Sequence, residues 1–70
     1  MSDEGFNMSL RKFLKTVGVT SQQEIEEAVR AARDAGQLPQ GTVAAKVVLS
    51  IGELGLNHEV TGSIEMPGDD

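Results

Sequence analysis

The chain carries few residues whose types and spacing could do chemistry. It has one histidine, His58, and no cysteine among its 70 residues. A general base or a metal ligand needs a partner within reach. The acid beside His58 in sequence, Glu59, falls on the opposite side of any extended strand. A thiolate zinc site needs Cys, and no H-x-x-x-H spacing occurs. The sequence therefore predicts a partly buried His58 that packs its ring and bonds a backbone carbonyl. Other acids have plainer explanations. Glu24, Glu26 and Glu27 suit the positive end of a helix, while Glu59 and Glu65 suit a solvated sheet face. No serine sits in a G-x-S-x-G elbow, and no glycine-rich loop joins a strand to a helix to cradle phosphate. These residues predict no enzyme and no cofactor.

What remains is a set of contact residues. Arg11, Lys12 and Lys15 form a small basic group, and Lys46 and Val48 fall on the outward face of a strand. They are the candidate partner-binding positions. The chain as a whole is acidic, with eleven Asp plus Glu against six Lys plus Arg and a formal net charge of −5. Such a balance repels nucleic-acid phosphates unless the cations cluster. No apolar run approaches the ~20 residues that span a bilayer. Met1 to Gly5 is acidic and no apolar signal segment follows it. The expectation is a cytoplasmic protein.

The elements that must position these residues are marked by a change of hydrophobic period near Pro39. Phe6, Leu10, Phe13, Leu14 and Val17 recur at helical spacing. Asn7 can cap the start of that helix, and Gly18 can end it, which predicts a helix over 7–17. Ser21-Gln22-Gln23-Glu24 fits a capping box, and Ile25, Ala28, Val29 and Ala32 form an apolar stripe behind it. A second helix is predicted over 22–35, with Glu26 and Arg30 as an i,i+4 pair and Gly36 as its stop. Gln37 to Thr42 reads as a loop, with Leu38 pinning it to the core.

After Pro39 the period is two. Val43, Ala45, Val47, Leu49 and Ile51 alternate, as do Leu56, Val60, Ile64 and Met66. Strands are predicted over 43–51 and 56–66, joined at Gly52-Glu53-Leu54-Gly55. The two apolar faces stay together only if Val47 lies opposite Val60 and Leu49 opposite His58. Gly62 then faces Ala45, and the missing side chain suggests that a helix approaches closely there.

The expected fold is α+β, two N-terminal helices packed on an antiparallel hairpin. It forms a single small domain, 1–70, with frayed tails at 1–5 and 67–70. A chain of this size buries only about 60% of its unfolded surface, and it has no disulfide to support it. An isolated hairpin is marginal in water and its edges are open, so self-association into a homodimer is one way to complete it.

The block Phe6-Asn7-Met8-Ser9-Leu10-Arg11-Lys12-Phe13-Leu14-Lys15-Thr16-Val17-Gly18-Val19-Thr20-Ser21-Gln22-Gln23-Glu24-Ile25-Glu26 resembles the opening of a family of short, uncharacterised bacterial proteins. Members end in an alternating segment like Leu56-Asn57-His58-Glu59-Val60-Thr61-Gly62-Ser63-Ile64. The resemblance implies a bacterial, stand-alone domain and carries no catalytic or binding residue with it.

Two functions follow as expectations. The first is a non-enzymatic protein-interaction module using a strand edge or the surface of the first helix. The alternative is a helix-turn-helix-like accessory nucleic-acid binder, since helix, Gly18-Val19-Thr20 and helix mimic that motif. Against it, the recognition helix would open with Gln22 and Gln23 but also with Glu24, Glu26 and Glu27 facing phosphates.

Overall fold

The computed structural model describes residues 3–68. The chain is α+β: one helix, α1 (Glu4–Asp34), then strands β1 (Thr42–Ile51) and β2 (Leu56–Glu65) in a two-stranded antiparallel sheet. It divides into two units, Met1–Gln37 and Leu38–Asp70.

The first unit corrects the expectation of two helices. α1 runs unbroken through 31 residues, and Gly18, Val19 and Thr20 lie inside it. Gly18 does not adopt a positive φ. The reason is a balance of local costs. A glycine in a helix interior costs about 0.5–1 kcal/mol, and Val19 and Thr20 add a few tenths each. A break would instead create two new helix ends, each with up to four backbone groups lacking intrahelical partners. Continuity is the cheaper arrangement. The hydroxyls of the region adapt to it: Thr16 donates to the Lys12 carbonyl at 3.0 Å and Thr20 to the Thr16 carbonyl at 2.7 Å. That back-bonding satisfies threonine inside a helix. Ser21 lies mid-helix, half-exposed, and does not act as a cap. The Glu26 carboxylate accepts from the Gln22 amide at 3.2 Å rather than pairing with Arg30.

The helix also starts earlier than Asn7. Its N-cap is Asp3, without a side-chain capping bond, and the Asn7 amide donates to the Asp3 carbonyl at 2.9 Å. Glu4 and Gly5, expected to fray, are helical. Of the tails expected at 1–5 and 67–70, residues 1, 2, 69 and 70 lie outside the described residues. The C-terminal stop at Gly36 is as expected. Gly36 takes φ 72°, its amide donates to Arg33, and the Gln37 amide reaches the Ala32 carbonyl at 2.8 Å. That pair of bonds is a Schellman motif, which closes the last turn of a helix.

In the second unit the register is the one the alternation requires. Val47 pairs with Val60, Leu49 with His58 and Ala45 with Gly62. A 3-10 turn over Gly52–Leu54 joins the strands, and Gly55 follows it in the left-handed region at φ 62°. The Gly55 amide donates to the Gly52 carbonyl at 3.1 Å. At the open end, the Met66 amide donates to the Gly41 carbonyl at 2.7 Å and extends the pairing past both strands. Gly62 does not serve a close approach. A side chain there would meet nothing within 4 Å.

The expected core is the largest correction. None of the described residues is buried. Phe13 is 52% exposed on α1, and Val47 and Val60 are 46% and 50% exposed on the hairpin. Taken by itself, each unit is a single layer, and a layer alone buries none of its apolar face.

Candidate functional site

Within each unit the described chemistry-bearing residues are not brought together. His58 is exposed, not half-buried, and its ring takes part in no hydrogen bond among the described residues. Alternation put it on the correct face, opposite Leu49. Its expected carbonyl partner is not found within the hairpin. Among the described residues no three of His, Asp or Glu sit close enough to hold a metal ion. A depression of about 240 Å³ at the open end of the hairpin is lined by Gln40, Gly41, Met66, Pro67 and Gly68. None of those side chains is an acid, a base or a nucleophile. No helix among the described residues is long and apolar enough to cross a membrane.

The candidate contact residues divide between the units. Arg11, Lys12 and Lys15 are all exposed on the N-terminal half of α1. Lys46 and Val48 lie on the outward face of β1, beside Glu59 and Thr61 of β2. Lys46 Nζ stands 3.9 Å from Glu59 Oε1, with both side chains about three-fifths exposed. A solvated pair of that kind contributes at most about 1 kcal/mol. Val48 is 61% exposed.

The apolar residues make the larger surface. On α1, Phe6, Leu10, Phe13, Leu14 and Ile25 are all exposed, and they line one side of the helix with the half-exposed Val17, Val29 and Ala32. In a helix such a stripe faces a neighbouring element. On the hairpin, Val47, Ile51, Leu56 and Val60 are exposed on the face they share with Val43, Leu49 and Ile64. Leu54, at the turn, is 73% exposed. Because the sheet has two strands, each strand also has one edge without a strand partner. Sequence reasoning assigned these residues to a core.

The helix-turn-helix expected over the N-terminal half is not formed among the described residues. A helix-turn-helix places its second helix at a wide angle to its first, and residues 18–20 are continuous helix instead.

One amphipathic helix followed by one two-stranded hairpin, each with exposed apolar side chains on one face, defines a small α+β chain. The chain belongs to the family described as "Family of unknown function (DUF6494)", whose model matches residues 1–67. No curated protein and no solved structure matches it.

Proposed function

We propose that this protein is a non-enzymatic protein-interaction module that works by presenting the apolar face of α1 and that of the hairpin to a protein partner. The observation that carries the reading is that no described residue is buried, although large apolar side chains line one face of each unit. Contiguous apolar surface of this kind marks a contact site. An isolated two-stranded hairpin is at best marginally stable in water, so the second unit gains most from being covered. The cytoplasmic, bacterial setting expected from the sequence belongs to the same proposal. The nucleic-acid alternative has lost the turn on which its geometry depended.

Sedimentation equilibrium from the low to the high micromolar range, run beside titration with an apolar fluorescent dye, tests the reading. Association of the chain, or a monomer that binds the dye strongly, is the expected result. A monomer that binds no dye has its apolar faces covered within the chain, and overturns the proposal.

A further inference from the structure

The two halves of α1 differ in chemistry. Residues 5–23 hold three of the chain's six cations and none of its eleven acids. They also hold both phenylalanines, Phe6 and Phe13, and both are exposed. Residues 24–34 instead carry Glu24, Glu26, Glu27 and Asp34 against Arg30 and Arg33, with no apolar side chain larger than Ile25. Asp3 and Glu4 precede the cationic segment, so the charge changes sign on both sides of it.

At about 100° per residue, Phe6, Leu10, Phe13, Leu14 and Val17 share one face of this segment. Arg11, Lys12 and Lys15 fall about 115–155° from the middle of that face, on the other side of the helix. Met8 and Val19 lie among them, exposed. Glu24, about five turns after Phe6, returns to the apolar face and closes it with a carboxylate. Beyond Glu24 the smaller stripe of Ile25, Ala28, Val29 and Ala32 is turned by about 65° from the first.

A face of large apolar side chains, backed by one whose only charges are cations, is the composition of a helix that lies in a membrane interface. The charge placement separates that occupant from a protein groove. A groove touches the stripe and leaves Lys12 and Lys15 in solvent on the far side. A lipid surface acts on them through its field. A helix is about 10–12 Å across, so a charge on its far face stands about one Debye length from the headgroups, within reach of their negative potential. Arg11 lies nearest the apolar face of the three, and its long stem can carry the guanidinium to the phosphates.

We infer that residues 6–19 of α1 lie on an anionic lipid surface, with the Phe6-to-Val17 face in the acyl boundary and the three cations on the headgroup side. Five apolar side chains along about 18 Å of helix suit shallow burial, about 5–10 Å into that boundary. The inference goes beyond the interaction module, which keeps the hairpin and the C-terminal half of α1 for its protein partner.

Flotation of the full chain with vesicles of phosphatidylglycerol and phosphatidylcholine in equal parts, against phosphatidylcholine alone, tests it. The expected result is binding to the anionic vesicles that weakens as salt is raised, and binding to the neutral ones weaker on the order of tenfold. A cation at the surface is worth about fivefold in binding, and less across a Debye length, so R11Q, K12Q and K15Q together weaken it on the order of tenfold. R30Q with R33Q, the cations outside the segment, leaves it within about twofold. On the anionic vesicles the tryptophan emission of F13W moves to shorter wavelength, and that of V19W does not. Equal binding to both kinds of vesicle overturns the inference. So does a loss with R30Q and R33Q as large as with the triple variant, or a shift at 19 that matches the one at 13. Absence of vesicle binding, in a chain that binds the apolar dye, overturns it and leaves all of α1 to a protein partner. A monomer that binds neither overturns both readings.

Discussion

Replacing Gly18 with alanine separates the continuous helix from the helix-turn-helix by the sign of one measurement. In α1, Gly18 has an ordinary negative φ, and an added Cβ meets nothing within 4 Å. Alanine there gains the helix-interior preference over glycine, about 0.8–1.0 kcal/mol, with no packing cost to set against it. For a domain of this size that is a rise in Tm of about 4–8 °C, with increased helical signal in far-ultraviolet circular dichroism. If Gly18 instead ended a short helix in the left-handed region, alanine would meet the steric penalty of that region, about 1–2 kcal/mol, and Tm would fall. The two cases differ by about 2 kcal/mol in total, well beyond the error of a urea or thermal titration. Measured at several protein concentrations, the shift is read apart from any change in association. A lower Tm or a loss of helical signal refutes the single helix.

Other substitutions probe particular elements. Gly62→Ala, mid-strand with open space at its Cβ, raises hairpin stability by about 0.5–1 kcal/mol in a urea titration. A loss of more than that amount shows that something packs against Gly62. Gly55→Ala forces a side chain into φ 62° and destabilises the hairpin by about 1 kcal/mol, seen as faster amide exchange across β1 and β2. No change there contradicts the turn geometry. Lys46→Ala removes the solvated pair with Glu59 and changes stability by less than about 1 kcal/mol, less still at high salt. Phe13→Asp places a charge in the middle of the α1 stripe and abolishes association in sedimentation while leaving the helical signal near its original value. Unchanged association moves the contact away from α1.

The hairpin was legible in the sequence because everything that determines it is local. A period of two fixes which side chains share a face, and the glycines at 52 and 55 bracket the one turn that keeps Val47 opposite Val60. The stop of α1 was legible for the same reason, since Gly36 closes a motif built from residues 32 to 37. The middle of the helix was not. Gly18 and the Ser21-to-Glu24 box are signatures of helix ends, yet neither can create an end unless breaking the chain there is worth the backbone groups it leaves unpaired.

The candidate site shows a different limit. Alternation assigned His58, Val47 and Val60 to one face correctly. Whether that face is buried depends on a second layer, which no periodicity encodes. The apolar residues read as core from the sequence are the same ones that stand exposed in each unit. The pattern identifies a face and is silent about what covers it.

The most direct test of open, partner-seeking faces is the relaxation of Phe13 and Ile25 side-chain signals by a soluble paramagnetic agent as the protein concentration is raised. Strong relaxation in dilute solution that disappears on concentration is the predicted outcome. Side chains shielded from the agent at every concentration, in a chain that stays at 7.4 kDa, would contradict it.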